Sequence, residues 1–200
     1  MRGSHGAAGP DGGAARRESP GRTRVEQAAL RLFADEGVSE TSLQKIADAL
    51  GVTKAAVYWH YKSKDEIVLA ALRPALQELE RLADAAEAER SRRARVELLV
   101  TGIVDLLLSN RRGLTVLVGD VAVRHLLEQD PSLIGVVGRI VDLLSGPDHE
   151  PGARVAATLF LAGLPGPTTD PGSVSLGDDE LREHLLESGR RLLTGRRSTR

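Results

Sequence analysis

The fold is decided by residues 41–67, TSLQKIADALGVTKAAVYWHYKSKDEI. Leu43, Ile46, Ala47 and Leu50 recur at helical spacing behind Thr41, and Gly51 supplies a stop. After Val52, which is expected to plug the core, Thr53 can cap a short helix reaching about Tyr61, and Ser63 opens a further helix at Lys64. Two short helices flanking a tight glycine turn are the outline of a helix-turn-helix, whose second helix lies in the major groove of DNA.

Of five aromatic residues in the chain, Tyr58, Trp59 and Tyr61 crowd into this stretch around His60. At about 100° per residue Val57 and Tyr61 share one side of the third helix, whereas Lys54, Ala55 and Tyr58 point away from it. Tyr61 is therefore expected to wedge this helix against Leu32 and Phe33. Tyr58 and His60 can donate to phosphate oxygens, as can Lys64 beside the free N–H groups of the next helix start, with Ser42 placed similarly on the second helix. Base reading falls to Thr53, Lys54 and Ala55, because the first turn of such a helix reaches deepest into the groove. Plainer readings compete: Thr53 as a simple N-cap, Ala55 as a good helix former, and Trp59 as cover for an exposed core edge.

Outward toward the N-terminus, Val25, Ala28, Ala29, Leu32 and Phe33 define a first helix from Arg24 to a glycine cap at Gly37. Thr23 with Glu26, Thr41 with Gln44 and Ser63 with Glu66 have the spacing of capping boxes opening the first, second and fourth helices. Residues 1–21 are rich in Gly, Ala and Pro and are expected to be disordered; MRGSH resembles the start of an expression tag. Arg16, Arg17, Arg22 and Arg24 form a basic approach, read as a solvated tail or as an arm touching DNA.

Toward the C-terminus, Leu69, Leu72, Leu76, Leu79 and Leu82 make a long stripe, with a bend expected at Pro74. Beyond a break near Ser91, Val96 to Leu107 form another helix, and the apolar runs of residues 113–130 and 131–146 are expected to be bundle helices. PGARVAATLFLAG reads as a short helix, LPGPTTDPGSVSLG as a loop, and Leu181, Leu185, Leu186, Leu192 and Leu193 stripe the last helix. The expected organisation is a DNA-binding unit at 22–68, a helical ligand-binding and dimerisation unit at 69–195, and a frayed tail at 196–200.

Composition narrows the function. The 200 residues are 41% hydrophobic and carry a formal net charge of -1, so affinity for nucleic acid has to come from local asymmetry. With no cysteine there is no thiolate metal site or cysteine nucleophile. His5, His60, His125, His149 and His184 show no metal spacing, and no nucleophile elbow, phosphate loop or dinucleotide fingerprint occurs, so neither an enzyme nor a cofactor is expected. Nor is there an apolar run of about 18 residues or a secretory leader, and a cytoplasmic protein is expected.

Residues 41–67 resemble the DNA-binding signature of the TetR family of bacterial transcriptional regulators: a Thr-led helix, Ile-Ala, Gly-Val-Thr, an apolar–Tyr pair, His–aromatic, then Lys before an apolar residue. The resemblance runs from about Arg24 to Leu72; Val38 stands where the family often has an aromatic, and Tyr61 and Ile67 replace the more usual Phe and Leu. It implies an all-α fold, an N-terminal three-helix DNA-binding domain followed by a larger helical bundle. It also implies a dimer through the last two helices, about Pro151 to Gly163 and Asp178 to Leu193.

Energetics agree with a dimer. One reading helix offers two or three base contacts worth about 1–3 kcal/mol each, against the roughly 4–10 kcal/mol that separate specific from non-specific binding. Two copies meet that requirement and predict a palindromic operator with half-sites about one helical turn, or a multiple of it, apart. Ala156, Ala157 and Ala162 are small enough for close helix approach. A small-molecule effector would release the dimer from DNA, and Thr115, Asp120, Arg124 and His125, polar residues in apolar runs, are its candidate ligands, with helix surface or satisfied core as the plainer reading. Phe160 is the sole aromatic beyond the DNA-binding stretch, which favours a compact aliphatic or mixed-polarity effector. An effector-independent DNA-binding or helical interaction module, and an activator of the same fold, are the competing readings.

Overall fold

The computed structural model describes residues 20–109, 120–146 and 150–194. Every regular element among them is an α-helix: α1 (Pro20–Glu36), α2 (Leu43–Leu50), α3 (Lys54–His60), α4 (Lys64–Ala88), α5 (Arg92–Ser109), α6 (Val121–Leu127), α7 (Pro131–Ser145), α8 (Pro151–Gly163), α9 (Pro165–Thr169), α10 (Pro171–Val174) and α11 (Asp178–Thr194). Of residues 1–21, expected to be disordered, Pro20 and Gly21 instead open α1; residues 1–19, the tail expected to fray at 196–200 and the apolar run at 113–119 lie outside the described residues.

Apolar burial divides into two cores. The first gathers Val25, Ala29 and Phe33 of α1, Ile46 and Ala47 of α2, Val57 and Tyr61 around α3, and Ile67, Val68 and Ala70 from the start of α4. The second is built from Ala83 and Ala86 of α4, Leu99, Val100 and Val104 of α5, Ile140 and Leu144 of α7, Phe160 of α8, and Leu181 and Leu186 of α11. α4 runs as one helix through Pro74 and contributes to both. α6 joins the first core from far along the chain, since Val123, at 1% exposure, is buried there.

Within the bundle α5 packs against α4, α7 and α11, and α8 against α7 and α11. Arg92 pins two helix ends together: its Nη2 donates to the carbonyls of Leu144 and Leu193, each at 3.2 Å, satisfying acceptors that a helix leaves unpaired at its C-terminus. Exposed ion pairs then fix neighbouring faces, Arg139 to Asp84 and Glu87, Arg182 to Asp105, and Arg190 to Glu97. Hydrogen bonding from Arg139 and Arg190 holds the Glu87 and Glu97 carboxyls below the usual carboxylate range. Such exposed pairs contribute about 0–1 kcal/mol each and set register more than stability.

Four expectations are corrected. First, α1 starts at Pro20, where proline suits a first helical position, so Thr23 and Glu26 lie inside the helix and form no cap. Second, Thr41 is buried and its hydroxyl donates to the Gly37 carbonyl at 2.9 Å, closing the turn after α1, while Ser42 caps α2 by accepting from Lys45 N at 3.2 Å. Gln44 bonds Asp48 instead of reaching back. Third, Val52 is 40% exposed; Val38 fills the core at the preceding turn. Fourth, the segment read as a loop contains α9 and α10, because Pro165 and Pro171 occupy first helical turns and Asp170 accepts from Ser173 N at 2.9 Å. Half of the Ser63 box forms: Ser63 Oγ accepts from Glu66 N, but Glu66 Oε2 accepts from the N–H of Lys62, one residue before the cap, instead of from Ser63.

Candidate nucleic-acid interface

The turn between α2 and α3 depends on Gly51, whose φ of 65° places it in the left-handed region that a side chain disfavours. Thr53 then starts α3 by accepting from Ala56 N at 3.2 Å through Oγ1. α3 has only seven residues and cannot hold its shape alone, so the side chains it buries decide its orientation. Val57 is 0% exposed and Tyr61 1%. Lys54, Ala55, Tyr58 and Trp59 are exposed on the other side, Trp59 at 75%.

Neighbours shape this outer surface. Lys62 lies 4.7 Å from the Tyr58 ring centroid and donates through Nζ to the Tyr58 carbonyl at 2.8 Å, a cation placed on the ring face while closing the end of α3. Trp59 meets His60 edge to face at 4.8 Å. His60 is half-buried, and α1 approaches it so closely that a Cβ at Gly21 would lie 2.7 Å from its Nε2.

The other candidates fall into distinct places. Ser42 is exposed at the N-cap of α2, its Oγ engaged as acceptor. Lys64 Nζ donates to the carbonyls of Val38 at 2.5 Å and Ser39 at 3.3 Å, tying the α1–α2 turn to the start of α4. Asp65 and Glu66 already place carboxylates against the N-terminal turn of α4. Asp120 Oδ1 accepts from Val123 N at 3.3 Å, while Arg124 and His125 lie outward on α6, His125 within 2.9 Å of Gln129 Nε2. An open cleft of about 610 Å³ elsewhere on the bundle is lined by Glu87, Arg95, Ile134, Gly138, Arg139 and Leu143, and so contains none of these candidates. Thr115 lies outside the described residues.

Residues 27–71, which contain this surface, match the family described as "Bacterial regulatory proteins, tetR family". The regulator AcrR of Shigella flexneri is 52% identical over 46 residues, 23% of this chain and 21% of that protein. TtgR of Pseudomonas putida is 41% identical over 68 residues, 34% of this chain and 32% of its own. Likeness over nearly the whole length comes from the solved structure of NalD, the secondary repressor of the MexAB-OprM multidrug efflux pump in Pseudomonas aeruginosa: 29% identity, TM-score 0.65, covering 86% of this chain and 94% of that one. Residues 27–71 are a DNA-binding region of the TetR family.

These curated relatives match over only about a fifth to a third of their own length, so the TetR likeness in sequence is concentrated in the helix-turn-helix. The fold is shared more widely than the sequence: the solved structure of a fatty acid degradation regulator, FadR of Bacillus halodurans, matches with TM-score 0.70 at 16% identity over 91% of this chain.

Glu26, expected in a capping box, and Arg22, expected in the basic approach, instead meet the hydroxyl of Tyr61. The signal for this contact was present in the departure from the TetR pattern at Tyr61, since a buried phenol, unlike the usual Phe, needs polar partners. Burial, then the bond to Glu26, push the Tyr61 phenol up to about 12 from an ordinary 10.0, with Arg22 opposing. In a Tyr58→Phe variant, which leaves Tyr61 as the one tyrosine, phenolate absorbance at 295 nm is expected to rise near pH 12. A midpoint near 10 would mean that the hydroxyl is not held. The folded form keeps a proton that the unfolded form releases, so this contribution to stability is present below pH 10 and is lost as pH rises toward 12.

Proposed function

We propose that the chain is a transcriptional repressor that binds a palindromic operator as a homodimer and leaves DNA when a small molecule binds the bundle. One observation carries the DNA-binding reading: a seven-residue helix buries Val57 and the adjoining Tyr61 completely while presenting Lys54, Ala55 and Tyr58 outward. Thr53, Lys54 and Ala55 are assigned to base edges, and Ser42, Tyr58, Trp59, His60 and Lys64 to the sugar–phosphate backbone. Such a role places the protein in the cytoplasm of a bacterium; among the described residues no helix is long and apolar enough to cross a membrane.

Dimerisation is assigned to α8 and α11. Val155 and Leu159 are each 58% exposed on α8 and Leu192 is 43% exposed on α11, an apolar surface that a second copy would cover. Ala162 is exposed and can admit close approach, whereas Ala157 is fully buried in its own bundle. Effector control draws on α4, which contributes to both cores, and on α6, which packs against α4 and the first core. A ligand favouring one bundle arrangement would thereby bias the spacing of the two reading helices. NalD, similar to this chain over nearly its whole length, is itself a repressor.

The test is fluorescence anisotropy with duplexes from the region upstream of the gene. Binding is expected to prefer an inverted repeat and to fall log-linearly with salt. Uniform affinity for all sequences would end the proposal. Lys64→Ala is expected to weaken every duplex alike and to lower the melting temperature slightly, because the same ammonium holds the Val38 and Ser39 carbonyls. A loss confined to the operator would remove Lys64 from the backbone contacts.

A further inference from the structure

α1 grips the end of α3 at three points within two turns. Tyr61, the C-cap of α3, donates its hydroxyl to Glu26 Oε1 and accepts from Arg22 Nε at 3.2 Å. The Arg22 guanidinium also lies 4.6 Å over the Tyr61 ring centroid. One residue earlier on each side, Gly21 admits the His60 imidazole into space that any Cβ would fill. The side chains at 22 and 26 stand one helical turn apart on the same face, and the phenol bridges them.

We infer that Tyr61, Glu26 and Arg22 form a positioning clamp that sets the tilt of the reading helix, and that sequence discrimination depends on it. The inference rests on the proposed role of α3 in reading DNA. Its physical basis is leverage. α3 is about 10 Å long, so a rotation of about 10° at the clamped end displaces Lys54, at the far end, by about 2 Å. That exceeds the distance tolerance of a directional hydrogen bond to a base edge, whereas a mobile cation near a phosphate loses little. A Phe at position 61 would fill the same apolar space with Val57 and Phe33 but could not hold the angle through a directional bond. The clamp should therefore act on specificity while leaving the fold and the general attraction to DNA in place.

Tyr61→Phe tests this against a duplex selected by the wild-type protein from a randomised pool and against a scrambled duplex of the same composition. The hydroxyl bonds to a carboxylate, and losing such a bond is expected to reduce the specific-to-non-specific ratio by about tenfold or more, with the scrambled duplex bound within about twofold and the salt slope unchanged. Glu26→Gln, whose amide oxygen still accepts from the phenol, should keep most of the ratio, and Glu26→Leu should behave as Tyr61→Phe does. Amide hydrogen exchange of free protein gives a second reading that needs no DNA: protection of residues 57–61 should fall in Tyr61→Phe while that of residues 99–104 in α5 stays constant.

An unchanged ratio, or equal losses on both duplexes, would overturn the clamp as a specificity device. Unchanged exchange in α3 would overturn it as a mechanical one. A wild-type protein that selects no duplex fails the DNA-reading proposal instead, and the exchange measurement then decides the clamp separately. Should Tyr61→Phe not fold, the contrast between Glu26→Gln and Glu26→Leu supplies the same two outcomes.

Discussion

Lys54→Ala is expected to weaken operator binding by between about 30-fold and more than 10,000-fold while reducing affinity for scrambled DNA far less. The lysine is exposed on the first turn of α3, and its ammonium makes no ion pair among the described residues. A good contact to a base edge contributes about 1–3 kcal/mol, and a two-fold dimer makes it twice, giving about 2–6 kcal/mol per operator. Lys54→Arg should retain a large part, because a guanidinium can also donate to guanine. Titrations of both variants on operator and scrambled duplexes check the expectation. Equal losses would move Lys54 to the phosphates, and no loss would mean that α3 does not read the groove.

Gly189→Val is expected to lower the melting temperature by about 6–12 °C. Gly189 is buried on α11 where it crosses α5 and α8, and a Cβ there would lie 2.7 Å from Phe160 Cε2 and 3.1 Å from Val100 Cγ1. Phe160 and Val100 are themselves buried, a flat ring and a branched side chain with little freedom to yield. Replacing a helical glycine ordinarily stabilises by up to about 1 kcal/mol, but forcing atoms into a packed core costs about 1–3 kcal/mol. The overpacking wins, and the second branch of valine should bring the net loss to about 3 kcal/mol, each kcal/mol shifting the midpoint by about 2–4 °C at this size. Gly138→Ala on α7 is the control: nothing lies within 4 Å of its Cβ, so the midpoint should rise by about 2–4 °C. Thermal melts followed by circular dichroism distinguish these results. A Gly189→Val protein melting with the wild type would refute the close crossing of the three helices.

How much of the fold is legible in the sequence depends on range. The helix-turn-helix can be read because its signals are local: Gly51 ends α2, Thr53 and Ser63 cap the helices that follow them, and Val57 with Tyr61 recurs at the period of one helical side. Thr41 competes with Ser42 as the cap of α2 because both residue types cap well, and the choice turns on whether the Thr41 hydroxyl can reach the Gly37 carbonyl. Proline and glycine density at 164–177 argues for a loop, yet proline is compatible with the first turn of a helix, and two short helices form there. Polarity within an apolar stretch groups Asp120, Arg124 and His125; the structure instead shows α6 turning Val123 into the DNA-binding core and leaving Arg124 and His125 toward the outside.

The sequence by itself determined most of the helices, two of their caps, the outward set Lys54, Ala55 and Tyr58, and the family of the DNA-binding region, because capping and 3.6-residue periodicity act between residues a few positions apart. Only the tertiary structure decided what holds α3 at its angle, that Lys64 ties down the α1–α2 turn, that α4 serves both cores and that α6 returns to the first. Those outcomes rest on contacts between residues such as Glu26 and Tyr61, 35 positions apart in the chain. Their partners are selected by how whole helices pack against one another, a choice that no local pattern of residues encodes.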